Sequence, residues 1–157
     1  MARIPRSCLP DGIYHVTERG TGGEPIVRDD HDRIFLVTLF ATTGFAFSWT
    51  WHAYCLLTTH YHLLFETTRE SLSKGMQRIN GLYAQRFNER HDRFGHLFQG
   101  RFGARIVESE EHFEVALPYV LDNARTAGLC GDGESWPWAG RKPVPSAPEI
   151  RRGLRGS

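Results

Sequence analysis

Hydrophobic and polar residues alternate along three stretches of the chain, a pattern typical of strands with one buried face. The first is GIYHVTER at residues 12–19, the second begins at Phe45 with FAFSWTWHAYCLL, and the third is the apolar run HYHLLFE that starts at His60. Only Thr58 and Thr59 separate the second stretch from the third, and so short a connection predicts an antiparallel hairpin. A short fourth strand is predicted near residues 105–108.

Three other stretches have the spacing of helices that bury one face. Asp29 and Asp30 can cap a helix over HDRIFLVTLFATT, which we expect to end at Gly44. Ser109 can cap a last helix that carries HFEVALPYVLDN. Between them, a helix is predicted over residues 71–90, and its apolar stripe consists of Leu72, Met76, Ile79, Tyr83 and Phe87.

The predicted element order is β, α, β, β, α, β, α, which indicates an α+β fold. We expect a ferredoxin-like (RRM-like) antiparallel sheet packed with helices, followed by a C-terminal helix that carries Tyr119. With 157 residues, the chain is long enough for one domain with a core and short for two. We place this domain at residues 1–138 and expect residues 139–157, rich in Pro, Gly and Arg, to form a basic, mostly disordered tail.

Composition narrows the class of protein only slightly. No apolar run approaches the roughly 20 residues that span a bilayer, and the first residues lack the apolar segment of a signal peptide. Cys8, Cys55 and Cys130 lie far apart and form no CxxC pair, which favours a reducing compartment. We therefore expect a cytoplasmic protein with no membrane partner.

The net charge of +1 conceals a basic segment in the middle of the chain. Residues 72–107 contain seven basic and two acidic side chains, a net of +5. A local basic block predicts a phosphate-binding surface, although a solvated helix face would have the same composition. The candidate DNA-binding residues are Lys74, Arg78, Arg86, Arg90, Arg93, His96, Arg101 and Arg105.

Two pairs of polar residues have spacings that suggest chemistry. His60 and His62 point to one face of a strand, where they supply half of a metal site or form a pair of hydrogen-bonded core histidines. Tyr119 and Asn123 stand four apart on a predicted helix, so they share a face. An amide oxygen can ligate Mg²⁺ or Mn²⁺ and a tyrosine beside such a metal can be a nucleophile, but Tyr119 can equally cover the sheet and Asn123 cap the helix.

Four motifs in order resemble those of the single-tyrosine HUH (His-hydrophobe-His) transposases, the IS200-like family. They are YHVTERG, HAYCLLTTHYHLLFET, GMQRINGLYAQRFNERHDRFGHLFQGRF and YVLDNARTAGL. The resemblance is greatest to the REP-associated tyrosine transposases of bacteria, and it extends from Arg3 to Trp138.

The resemblance implies a role for each motif. His60 and His62 would hold a divalent metal, Mg²⁺ or Mn²⁺, with Asn123 as third ligand, and Tyr119 would attack DNA. GHLFQGRF at residues 95–102 corresponds to a stretch with DNA contacts. The implied activity is cleavage and rejoining of single-stranded, hairpin or REP-type DNA through a 5′-phosphotyrosine, by a monomer or homodimer associated with the bacterial nucleoid.

Other functions remain compatible with the residues. A non-catalytic nucleic-acid-binding module, a degenerate inactive copy and a metal phosphodiesterase that uses activated water are the alternatives. Tyr83 competes with Tyr119 as nucleophile, but its place on an apolar stripe predicts a core residue. Phe94, Phe98 and Phe102 are candidates for stacking on unpaired bases, and we expect at least two of them to be core.

Overall fold

A single antiparallel sheet organises the chain in the computed structural model, which describes residues 10–131 and 134–144. The sheet has the strand order β4-β1-β3-β2-β5, and every neighbouring pair is antiparallel. The first four strands have the ferredoxin-like arrangement, so the predicted α+β class is confirmed. The elements are β1 (Gly12–Arg19), α1 (Asp30–Ala46), β2 (Thr50–Leu56), β3 (His60–Thr67), α2 (Arg69–Arg90), β4 (Gly103–Ile106), α3 (Glu110–Leu121), α4 (Asn123–Thr126) and β5 (Ala139–Gly140).

The two faces of the sheet are buried by different helices. On one face, Tyr61, Leu63 and Phe65 of β3 pack in the larger core with residues of α1 and α2. The alternate residue Leu64 belongs to a second, smaller core that includes Val120 of α3. We call these the α1–α2 face and the α3 face. His60 and His62 alternate with Tyr61 and Leu63, so they lie on the α3 face.

The predicted starts of the first and last helices are confirmed by their capping bonds, whereas α2 begins at Arg69, two residues before its predicted start, with Thr68 as its cap. The Asp29 side chain accepts a hydrogen bond from the backbone of Asp32, and Ser109 accepts one from the backbone of His112. The predicted end of the first helix at Gly44 is wrong, because α1 continues to Ala46. Gly44 instead allows a close approach, since a Cβ atom there would lie 2.4 Å from Nε1 of Trp51.

Three other boundaries differ from the prediction. β2 begins at Thr50 and not at Phe45, because α1 extends over the first aromatic residues of that stretch. β4 begins at Gly103, two residues before the predicted start. α3 ends at Leu121, where the prediction extended it through Asn123; a break at Asp122 separates it from α4.

The segment after the fourth helix returns to the edge of the sheet. Trp138 is buried, its carbonyl accepts the N–H of Leu56 at 2.8 Å, and Trp136 Nε1 donates to the Leu56 carbonyl at 2.8 Å. β5 then pairs with β2, so the disorder predicted from residue 139 is wrong for the first residues of the tail. The rest of the predicted tail, from residue 145, lies outside the described residues, as do residues 1–9 of the predicted domain. Within the described ranges, no helix combines the length and apolar character that crossing a membrane requires.

Candidate functional site

The two histidines of β3 face the tyrosine-bearing helix. In the β1–β3 register, His60 lies opposite Arg19 and His62 lies opposite Thr17. The ring centroids of His60 and His62 are 5.1 Å apart, and only 3% of His62 is exposed. The strand therefore directs two imidazoles into one small volume, as the sequence predicts.

Tyr61, between the two histidines, belongs to the opposite face. Its hydroxyl donates to Asn80 Oδ1 at 2.6 Å, and the Asn80 amide donates to the buried carboxylate of Glu18 at 2.9 Å. This chain of hydrogen bonds satisfies a buried acidic group. It fixes the beginning of β3 against α2 and keeps Tyr61 away from the candidate site.

A third histidine, which the sequence analysis did not identify, completes the cluster. His15 of β1 places Nε2 3.0 Å from Nδ1 of His62, and Oγ1 of Thr17 lies 3.3 Å from the same nitrogen. The alternation of GIYHVTER indicates that His15 and Thr17 share a face. The pairing of β1 with β3 brings that face to the HxH motif, and no local pattern reveals that pairing.

Tyr119 of α3 lies over this cluster. Its ring centroid is 5.7 Å from that of His62 and 5.8 Å from that of His15, in edge-on arrangements. The side chain is 53% exposed, whereas the other four tyrosines of the chain are buried. Tyr83, the alternative nucleophile, is in the larger core, where its hydroxyl donates to the Ile26 carbonyl and burial raises its pKa. Tyr119 is thus the tyrosine whose hydroxyl a molecule in solution can reach.

Asn123 reaches the site from the beginning of α4. Its side chain hydrogen-bonds to His60, its Nδ2 lies 3.4 Å from the Tyr119 carbonyl, and only 8% of the residue is exposed. The four-residue spacing suggested that Tyr119 and Asn123 share one continuous helix. In the structure they lie on either side of a helix break. Pro118 lacks the N–H that would bond to the preceding turn, which weakens the end of α3.

Burial keeps the three histidines neutral near pH 7. Desolvation is the largest cause of a pKa lowered to about 3 for His62 and to about 4 for His15. The pKa of His60 is also lowered, first by burial and then by the positive charge of Arg19. Neutral imidazoles have a free lone pair, which is the form that binds a metal.

The donor atoms of the site fit a small divalent cation. Nδ1 of His62 already contacts His15 and Thr17, so its Nε2 remains for coordination. Nδ1 of His60 lies 3.0 Å from Thr59 Oγ1, so Nε2 is the His60 nitrogen that faces either the Asn123 amide or an ion. The Asn123 side chain that bonds to His60 adds an amide oxygen. Among the described residues, no group of three or more His, Cys, Asp or Glu side chains is arranged to hold a metal. A metal ion bound by His60 and His62 would therefore need the Asn123 amide oxygen as its third protein ligand.

Most of the candidate DNA-binding residues lie away from this site. Arg90 forms ion pairs with Asp29 and Asp32, and Arg93 pairs with Glu24. Three more candidates lie on α2, across the sheet from Tyr119, and His96 lies in the loop between α2 and β4. Their contacts are Lys74 with Glu70, Arg78 with Thr43 and Arg86 over the ring of Phe35, while His96 is exposed.

Three cationic or ionisable side chains lie nearer the histidine cluster. Arg105 of β4 pairs with His15 across the sheet, and its charge lowers the pKa of His15, as does that of His112. Arg19 lowers the pKa of both His60 and His62. Only Arg105 of these is among the sequence-predicted DNA contacts. Arg19 and His112 were missed because both lie outside the basic segment.

The three candidate stacking residues all lie in the loop between α2 and β4, but they differ in burial. Phe98 and Phe102 are in the larger core, as expected for at least two of the three, whereas Phe94 is 88% exposed. The turn that carries Phe94 is well bonded, since the Arg93 guanidinium donates to the carbonyls of Gly95 and His96. The same loop borders the end of β1 through the bond from Gln99 N to the Arg19 carbonyl at 2.8 Å.

Comparison with known proteins gives a family and a fold. A family model described as "Transposase IS200 like" matches residues 11–123. The fold is similar to that of a REP-associated tyrosine transposase bound to a REP hairpin, with a TM-score of 0.68, 14% identity, and coverage of 98% of this chain and 88% of that chain. A candidate transposase of Deinococcus radiodurans R1 matches with a TM-score of 0.51, 14% identity and coverage of 78% and 97%. No curated protein sequence matches.

Proposed function

Because the chain belongs to the family of IS200-like transposases, we propose that it cleaves and rejoins single-stranded DNA with Tyr119 as nucleophile. The observation that carries this proposal is the position of Tyr119. It is the exposed tyrosine of the chain, and its ring lies within 6 Å of two neutral histidines. Binding without catalysis has no need of such an arrangement.

The proposed step exchanges one ester bond for another. Tyr119 Oη forms a bond to the phosphorus of a phosphodiester and loses its proton, while the bond from phosphorus to the 3′ oxygen breaks. That oxygen takes up a proton and becomes a 3′-OH, and the other strand segment stays linked through a 5′-phosphotyrosine. In the reverse reaction another 3′-OH attacks the phosphotyrosine and joins the strands. It needs no nucleoside triphosphate, since a phosphodiester replaces the phosphotyrosine ester.

We propose that His60, His62 and Asn123 hold a divalent ion, Mg²⁺ or Mn²⁺, beside Tyr119. When bound, the ion supplies positive charge that stabilises the phosphorane-like transition state of phosphoryl transfer. The chain contributes the rest. β3 orients both imidazoles, the α3–α4 break brings the amide to His60, and α3 fixes the distance from the phenol to the imidazoles.

The surroundings of the site suit an anionic strand. Arg19 and Arg105 act on the histidines from β1 and β4, and both are exposed, so they can attract and position a phosphate. The similar transposase structure contains a REP hairpin. We infer that this chain also takes a hairpin with an adjoining single strand. The strand would pass over the α3 face, and the α2 arginines of the other face would contribute mainly long-range attraction.

Two end-labelled hairpin oligonucleotides test the proposal. With Mn²⁺, the 3′-labelled oligonucleotide should give a labelled band that co-migrates with protein on a denaturing gel, because the 5′-phosphotyrosine remains on the 3′ segment. The 5′-labelled oligonucleotide should give a free, shortened strand. A chelator should abolish both products. Strand cleavage with no protein adduct would indicate water as nucleophile, and binding with no cleavage would indicate a binding module.

A further inference from the structure

His15 links the metal-binding strand to the nucleophile. Its Nε2 lies 3.0 Å from Nδ1 of His62, and its ring contacts that of Tyr119 at a centroid distance of 5.8 Å and an interplanar angle of 68°. β1 is an inner strand, paired with β3 on one side and with β4 on the other. The strand that carries His15 is therefore held by backbone bonds on both sides, and the His15 side chain contacts both components of the proposed site.

The contact between the two imidazoles constrains their protons. Only one of the two facing nitrogens can carry the shared hydrogen, and the tautomer of each ring follows from that choice. If His62 Nδ1 donates, its Nε2 keeps a free lone pair toward the site. If His15 Nε2 donates instead, the proton of His62 must lie on Nε2, and that atom cannot bind a metal.

We propose that His15 is a positioning residue that accepts the Nδ1 proton of His62 and keeps the Nε2 lone pair of His62 directed at the divalent ion. The inference rests on the proposed function. Histidine ligands of metals commonly donate their second N–H to a fixed acceptor, and the acceptor sets ring orientation and basicity. An imidazole acceptor adds no negative charge, so the positive field around the scissile phosphate is preserved.

A direct role for His15 as a metal ligand agrees less well with the geometry. Its Nε2 is already opposite His62, and the described residues contain no arrangement of three histidines fit for a metal. The side chain is also separated from Asn123 along the sheet, since His15 pairs with Leu64 whereas Asn123 bonds to His60. His15 therefore lies behind the ligand set.

Calorimetric titration of the full chain with Mn²⁺ tests the inference without measuring activity. His15→Phe keeps a ring of similar size but removes the nearer acceptor and leaves only Thr17 Oγ1, 3.3 Å from His62 Nδ1, so we expect a loss of affinity of roughly 10- to 100-fold. His15→Gln places an amide oxygen near the former Nε2, and we expect it to bind within a few-fold of the wild type. His52→Phe is the matched control, because His52 is a histidine of β2 that contacts Phe113 and lies outside the cluster.

The outcomes separate this inference from the proposed function. Affinity unchanged in His15→Phe, with His62→Ala strongly weakened, would overturn the role of His15 and leave the metal site intact. A loss in His15→Gln as large as in His62→Ala would make His15 a ligand and also overturn the inference. No Mn²⁺ binding by the wild type would overturn the metal site itself. Thermal unfolding of each variant shows that the affinities refer to folded protein.

Discussion

Two tyrosine-to-phenylalanine changes should have opposite effects on chemistry and on stability. Each removes a single oxygen atom, so the two variants are matched in size and hydrophobicity. Tyr119→Phe should abolish the covalent protein–DNA adduct and leave the fold unchanged. Tyr83→Phe should retain the adduct and lower the free energy of unfolding. The contrast follows from the different surroundings of the two hydroxyls.

The magnitudes follow from burial. The Tyr83 hydroxyl donates to the Ile26 carbonyl, and both residues are fully or almost fully buried. Removing the donor leaves a buried carbonyl unpaired, which costs about 1–3 kcal/mol. For a domain of this size each kcal/mol lowers Tm by about 2–4 °C. Tyr119 is half exposed, so losing its oxygen should change the free energy of unfolding by less than about 0.5 kcal/mol.

The assay combines a denaturing gel with thermal unfolding on the same preparations. Both variants and the wild type are incubated with 3′-labelled hairpin DNA and Mn²⁺, and Tm is measured without DNA. Adduct formation by Tyr119→Phe, or its loss in a folded Tyr83→Phe, would refute the assignment of the nucleophile. An unchanged Tm in Tyr83→Phe would refute the energetic argument for its buried hydrogen bond.

Three further outcomes are expected. Arg105→Gln should lower the log–log salt slope of single-strand binding by about 0.7, whereas Arg86→Gln, on the opposite sheet face, should not; equal slopes for the two variants would contradict the proposed path of the strand. Phe94→Ala should weaken single-strand binding by about 1–3 kcal/mol at unchanged Tm, because the ring is exposed, and unchanged affinity in a fluorescence titration would exclude stacking. Arg90 holds the pKa of Asp29 below its ordinary value of 3.8, so this pair stabilises the fold above about pH 4 and the stabilisation is lost as pH falls further. A Tm series from pH 7 to pH 2 should therefore decline less steeply in Asp29→Asn than in the wild type, and parallel declines would contradict the ion pair.

The sequence predicted the fold because its local patterns agree with one another. Alternation in the strands, the caps at Asp29 and Ser109 and the short hairpin connection together give one element order. The errors occur where tertiary contacts override local preference. Gly44 resembles a helix terminator, but its use is the close approach of Trp51, which no local pattern reveals.

The residues of the candidate site were predictable from local motifs, whereas the residues that surround them were less so. His60, His62, Tyr119 and Asn123 lie in recognisable motifs, and the fold brings them together. His15 is adjacent to them only because of the register between β1 and β3, a long-range property. The basic segment shows a second property that local patterns do not predict, namely the side of the sheet on which a helix packs. Helical periodicity identifies the polar side of α2, but it does not tell which sheet face α2 covers.

The tyrosine helix is anchored to the sheet on both sides. Before α3, β4 pairs with β1 at one edge, and after it β5 pairs with β2 at the other edge. Exchange of α3 between two copies, the usual form of domain swapping, would have to break the pairing of β5 with β2 and withdraw Trp138 from its core. In the structure of the single chain, His60, His62, Tyr119 and Asn123 all come from one copy. If one copy carries out cleavage, strand cleavage at saturating DNA should follow first-order dependence on protein concentration.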